Sequence, residues 1–301
     1  MVMAIVLGQV IQLILFAAVG YILCKYKIAG SSHGELLSSL EVYVFLPAIS
    51  FSTFSSHFTL EYISENYKLL IISVMMLVVL TAVAYPLARL LTKDRYEQTV
   101  FHYSLTIPNY GYVGYALTAG VFGQEMLMNV MMFGVPLSVY INSIGFCTLT
   151  KSKFSIKKVF NPATIALILG AIVGLSGLQV PTVINSLCEK ASACMAPISM
   201  LLAGMVITQF DFQSLLKNKP AYIVVLMRLL VIPFAIAMAL RLLSLDDMII
   251  PALMIYAMPC GLNTIVFPKL VKENCESGAS LAFVSSVLSC ATIPLCLYLF
   301  C

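Results

Sequence analysis

The chain has 301 residues, 61% of them hydrophobic and only 10% charged, with a mean hydropathy of +1.00. A soluble domain carries about 25% charged residues, so this composition excludes an ordinary soluble fold; part of the surface must face lipid. The net charge of +4 does not point to nucleic acid: the basic residues stand singly or in pairs between apolar runs, with one cluster at Lys151, Lys153, Lys157 and Lys158.

A bilayer-spanning helix needs about 20 mostly apolar residues. The first such run, 2–24, has no positively charged start and no A-x-A-like cleavage site, so it reads as a retained transmembrane helix rather than a signal peptide. Nine further runs follow at 36–55, 68–91, 97–121, 126–149, 161–178, 191–209, 220–244, 248–271 and 279–300. The joints are short and polar, and none is long enough for a separate soluble domain. Counted by alternate joints, Lys and Arg divide thirteen to three, with Arg228 left inside the eighth run. The rich set includes Lys25, Lys27, Lys93, Arg95, Lys151, Lys153, Lys217 and Lys219, and by the positive-inside rule it is cytoplasmic. Both termini are then expected outside.

Individual runs carry features of their own. The second holds Glu41. The fifth holds Ser138 and Asn142, four residues apart and so on one helix face; they are candidates to line a cavity or to bond between helices. The sixth holds Gly170, Gly174 and Gly177, a small-residue stripe for close packing within the subunit or across a dimer. Arg228 lies about 13 Å into the eighth run at 1.5 Å per residue. An intramembrane charge there points to charge balance or ion coupling, with Glu41 as one possible partner, or to a snorkelling arginine. The nine cysteines form no C-x-x-C and have no nearby His, so no metal or cofactor is expected; Cys188 and Cys194 are the one pair close enough to consider for a bridge.

The fourth run is interrupted at Leu105–Gly114 and the ninth at Ala257–Thr264. Proline removes a helical donor, and glycine lets the backbone open. Freed backbone groups cannot face lipid, so they line protein or a watery cavity. Pro108-Asn109-Tyr110-Gly111 is answered by Pro259-Cys260-Gly261 at an offset of 151, Pro47 by Pro197 at 150 and Arg89 by Arg241 at 152. Three matches near one offset predict a duplicated chain, 1–150 and 151–301. Five helices per copy would make the copies inverted, a recurring transporter plan. The interrupted helices would then bring two half-helix N-termini together at the bilayer midplane, where partial positive charge suits an anion. The carbonyl ends that meet there would instead suit a cation. The candidate binding residues are Pro108, Asn109, Tyr110, Gly111, Ser138, Asn142, Pro259, Gly261 and Asn263; Arg228 and Glu41 are candidates for coupling or charge balance. No H-E-x-x-H, Walker loop or G-x-S-x-G occurs, and the chain is not expected to be an enzyme.

At these residues the sequence resembles the auxin efflux carrier family, which includes bacterial organic-acid permeases. Leu105-Thr106-Ile107-Pro108-Asn109 is similar to the family's T-L-P-N segment, Ala257-Met258-Pro259-Cys260-Gly261-Leu262 with Val266-Phe267 to its A-L-P-x-G-I…V-F segment, and Phe45-Leu46-Pro47-Ala48 to its second helix. The resemblance implies a ten-helix, all-α membrane protein with a scaffold of helices 1, 2, 6 and 7 and a moving part of helices 3–5 and 8–10. It implies elevator-type transport of a small organic acid such as malate, malonate or an auxin-like carboxylate, and a homodimer in the cytoplasmic membrane. Ser138 stands where related carriers often have asparagine. The alternatives are a cation-coupled symporter of bile-acid-carrier type, which would need a carboxylate-rich site, and a membrane sensor that binds without transporting.

Overall fold

A computed structural model describes residues 2–154, 159–208 and 218–300. Lys157, Lys158 and Lys217 lie outside these. The expectation of an all-helical membrane protein holds: the described residues form helices, and the only sheet-like pairing among them is one isolated antiparallel bridge, Pro108 to Cys260.

The helices are α1 (Val2–Lys25), α2 (Ser31–Leu40), α3 (Leu46–His57), α4 (Leu60–Leu91), α5 (Arg95–Thr106), α6 (Tyr115–Tyr140) and α7 (Phe146–Thr150). After them come α8 (Pro162–Ser176), α9 (Thr182–Ile207), α10 (Lys219–Leu226), α11 (Ile232–Leu242), α12 (Ile249–Tyr256), α13 (Asn263–Leu270) and α14 (Glu276–Phe300). Single π turns join α2 to α3 (Glu41–Phe45), lead into α6 (Tyr110–Gly114), join α6 to α7 (Ile141–Gly145) and join α10 to α11 (Met227–Val231).

Side chains in the polar joints start the helices. Thr59 accepts from the Tyr62 amide at 3.1 Å, Asp94 from Glu97 at 2.7 Å, Asn161 from Thr164 at 3.0 Å and Asn218 from Ala221 at 3.2 Å. Each satisfies a first-turn N–H that the helix itself leaves unpaired. Within α6, Gly123 takes φ +82°, a conformation that suits glycine, and divides the helix into two legs.

Among the described residues, six stretches are long and apolar enough to cross a membrane by themselves: Val6–Lys25, His33–His57, Leu60–Leu91, Tyr110–Thr150, Lys219–Leu242 and Glu276–Phe300. The ten sequence runs are more numerous for physical reasons. Tyr110–Thr150 spans 41 residues and contains the Gly123 break. The ninth run is cut between Tyr256 and Asn263, and α8 has only 15 residues. Polar residues also proved poor markers of helix ends. α4 begins at Leu60 rather than 68, and α9 at Thr182 rather than 191. Those early turns are helical but polar; in α9, Asn185 donates to Glu189 one turn later at 2.9 Å.

The most extensive helix pairings among the described residues are α3 with α8 and α1 with α9. A Cβ on Gly20 would run into the Leu201 carbonyl, and one on Gly170 into the Phe51 carbonyl. Positions 20 and 170, like 51 and 201, are 150 apart. Gly174 meets the Phe54 and Phe58 carbonyls, so Gly170 and Gly174 serve packing within the chain, whereas Gly177 is the left-handed cap of α8 at φ +68°. Cys188 and Cys194 are free thiols six residues apart on α9. That spacing is about 9 Å of rise and points them to different faces, out of reach of a bridge.

A second group of helices is tied at one end by Glu97 of α5. Its carboxylate accepts from Thr92 at 2.6 Å, Asn218 at 3.2 Å and Ser277 at 2.7 Å, joining the starts of α5, α10 and α14. Lys151 adds an ion pair to Glu273 at 2.6 Å between the ends of α7 and α13.

Candidate functional site

The interruptions of the fourth and ninth runs meet in space. α5 stops at Thr106, Ile107 is extended, and Pro108 has no N–H to continue the helix. The Asn109 amide donates to the Pro259 carbonyl at 2.8 Å, and Pro108 pairs with Cys260 in the antiparallel bridge. The Cys260 amide donates to Ser285 Oγ of α14 at 2.9 Å. The Gly261 carbonyl accepts from Thr264 Oγ1 at 2.9 Å. Several backbone groups released by the breaks are thus paired inside the protein, as a low-dielectric interior demands.

Beside this junction lies a cavity of about 230 Å³. One wall is the chain from Pro108 to Tyr112 with Tyr115; another is Gly261, Leu262, Asn263 and Phe267. α6 and its π turn contribute Met131, Val135, Ser138, Ile141 and Asn142. The far side is Val42, Leu46 and Ser50 from the α2–α3 segment, with Asn161, Ala163, Thr164 and Leu167 at the start of α8. Its polar groups are amides, hydroxyls and phenols; no carboxylate, ammonium or guanidinium is among the described lining residues. Because residues 109–112 and 261–263 open two helical segments, their first-turn N–H groups border the same space.

Of the residues singled out in the sequence, Pro108, Asn109, Tyr110, Gly111, Ser138, Asn142, Gly261 and Asn263 line this cavity. Pro259 does not; its carbonyl holds the junction. Several lining groups are already oriented. Tyr110 Oη is 2.7 Å from Ser138 Oγ and donates to the Gly134 carbonyl at 3.2 Å. Asn142 Nδ2 donates to the Ser138 carbonyl at 2.8 Å, and Asn263 Nδ2 to Tyr103 Oη at 2.9 Å. Asn109 is nearly buried, and among the described residues its side-chain amide has no protein partner.

Neither Arg228 nor Glu41 lines the cavity, and the two are not paired with each other. Arg228 is fully buried in the π turn Met227–Val231, where Nη1 donates to the Leu105 carbonyl at 3.0 Å and the guanidinium sits 5.6 Å from the Tyr256 ring. It therefore rests on the carbonyl end of α5 and beside the Tyr256 ring of α12, and the pairing with Glu41 considered from sequence is not made. Glu41 is also fully buried, with the neutral Ser199 hydroxyl of α9 beside it and no basic partner among the described residues.

Sequence reasoning missed Asn161 and Thr164, Ser50, the Tyr103 support for Asn263, and Tyr112 and Tyr115. Asn161 carried the signal of an N-cap before a proline, which marks a helix start but not what it faces. The tyrosines had no local signal, since their role depends on packing between distant elements.

A family model described as membrane transport protein matches the chain twice, over residues 5–153 and 145–297. Among curated proteins, an uncharacterized transporter of Methanothermobacter thermautotrophicus is 24% identical over 298 residues, covering 95% of this chain and 95% of that protein. With nearly its whole length matched, the chain belongs to this membrane transport protein family, that of the auxin efflux carriers.

Proposed function

We propose that the protein is a secondary carrier that moves small organic carboxylates, of malate, malonate or auxin-like type, through the cavity beside the Pro108–Cys260 junction. One observation carries the reading: two interrupted helices, joined at Asn109 and Pro259, open their N-terminal ends on a cavity lined by neutral amides and hydroxyls. Such a site offers donors and partial positive charge, which favour an anion. The carboxylates that a bile-acid-type cation site needs are not among its described lining.

The proposal includes two inverted five-helix halves, 1–150 and 151–301. The paired Gly20–Leu201 and Gly170–Phe51 contacts, related by 150 residues, support it. The glycine-tight group of α1, α3, α8 and α9 is the scaffold in this reading. The group tied through Glu97, with the cavity's two broken helices, is the moving part of an elevator. The protein is then a homodimer in the cytoplasmic membrane with both termini outside.

Counterflow into proteoliposomes tests this. Vesicles loaded with unlabelled malate or malonate should take up the labelled acid without added sodium. Absence of counterflow across a panel of mono- and dicarboxylates refutes the reading, and strict dependence on sodium favours the cation-coupled alternative.

A further inference from the structure

Glu41 is a carboxyl group with no exposed surface and, among the described residues, no hydrogen bond to either oxygen within bonding geometry. An ionised carboxylate placed so is very costly, while the neutral acid is tolerated. Its position relates it to transport. It sits in the π turn between α2 and α3, and its neighbours in sequence and on the next turn, Val42 and Leu46, line the cavity. π turns inside helices frequently mark functional positions.

Among the described residues, the groups around Glu41 leave it without a counter-charge. From α9 comes the Ser199 hydroxyl, a neutral neighbour. From the turn that follows the Pro108–Asn109 break comes the Tyr112 phenol, half-buried and also lining the cavity. α8 carries no titratable residue, and Tyr43 of the same turn is exposed. His33 and Glu35 of α2 are exposed and lie one to two turns away; His57, Glu189 and Lys190 lie at the far ends of α3 and near the start of α9.

We infer that Glu41 is a proton-binding group that couples carboxylate movement to a proton gradient. The inference rests on the carrier reading above. When the segment bearing Tyr112 shifts against α2 and α3, its cover moves with it and Glu41 meets the water-filled cavity. There it binds or releases one proton, an O–H bond forming or breaking with no redox change. An anion in the adjacent cavity is repelled by an ionised Glu41, because the low-dielectric walls of a small cleft focus the field between like charges. Protonation therefore favours loading of the anion, and by linkage the anion favours protonation. The result is symport of one proton per carboxylate.

The test uses purified full-length protein in proteoliposomes containing a trapped pH dye, with malonate as probe and the membrane potential clamped to zero. Wild type should carry protons in the same direction as malonate and accumulate it about tenfold under one unit of pH gradient, since tenfold corresponds to about 1.4 kcal/mol. Glu41→Gln, which mimics the neutral acid, should retain malonate counterflow, lose malonate-driven proton movement and lose accumulation. Its counterflow should no longer vary with pH. Glu41→Asp keeps the carboxyl and should keep proton movement. An infrared difference spectrum on adding malonate should show a protonated-acid carbonyl band in wild type that Glu41→Gln lacks, a readout that a merely structural Glu41 would not move. Wild-type protein that shows counterflow, but whose net malonate uptake moves no protons, overturns the inference and leaves the carrier reading intact. So does a Glu41→Gln variant with unchanged proton stoichiometry. Should Glu41→Gln fail to fold, the wild-type proton flux and the Glu41→Asp variant still decide. Absence of wild-type counterflow for every carboxylate tried brings down both.

Discussion

The backbone amide of Asn109 is bonded to the carbonyl of Pro259 at 2.8 Å, so two segments 150 residues apart are fastened where each helix is broken. The bond occupies the main chain of Asn109 and leaves its side-chain amide toward the cavity.

For that reason Asn109→Ala is expected to weaken carboxylate binding without unfolding the protein. Losing one hydrogen bond to a charged ligand costs about 1.5–3 kcal/mol, or roughly ten- to a hundred-fold in affinity. Isothermal titration with a transported acid, on a variant matched to wild type in monodispersity, checks it. Unchanged affinity would place the binding site elsewhere.

Asn263→Ala should behave differently. Its Nδ2 supports the buried Tyr103 phenol at 2.9 Å, so the substitution removes a structural bond as well as a cavity group. Alongside weaker binding, a lower Tm in detergent is expected, equivalent to about 0.5–1.5 kcal/mol. Tyr103→Phe, which deletes the same bond from the other side, should reproduce the stability loss with less effect on affinity. Equal affinity losses in both variants would show that the Asn263 side chain acts only through Tyr103.

The break at Pro108 and Asn109 was legible because proline and glycine act locally, and a local signal survives in sequence. The proposed duplication rests on the same kind of signal, since Pro47 and Pro197, like Arg89 and Arg241, keep their spacing. The fourth wall of the cavity was not. Asn161 and Thr164 reach it only because α8 packs on α3, a relation that no window of sequence contains. The Gly170–Gly174 stripe announced a close approach and was silent about its partner. The starts of α4 and α9 were misplaced because hydropathy reports where lipid ends, while a capped polar turn continues the helix into water.

Gly20→Ala is expected to destabilise the protein, since the added Cβ runs into the Leu201 carbonyl, which cannot turn aside. Overpacking of this kind typically costs about 1–3 kcal/mol. Gly8→Ala on the same helix meets nothing within 4 Å and is the control; it should leave Tm unchanged or slightly raised. Equal Tm for both variants would mean that the α1–α9 seam is looser than described.

A cysteine placed at the exposed Lys153 on a cysteine-free background should be shielded from an impermeant maleimide in intact cells. It should react in inverted vesicles. The charge asymmetry of the joints motivates this expectation, and labelling from outside would reverse the proposed orientation.

α4 runs unbroken for 32 residues, about 48 Å at 1.5 Å per residue, against a hydrocarbon layer of about 30 Å. Its first turns are polar and are braced by the Tyr62 hydroxyl on Asn129 at 2.7 Å. A stiff post therefore stands clear of the lipid, held to the rest of the molecule and lining none of the described cavity wall. For a protein this small and this deeply embedded, it is the natural place to fuse or clamp a rigid marker for particle alignment in electron microscopy.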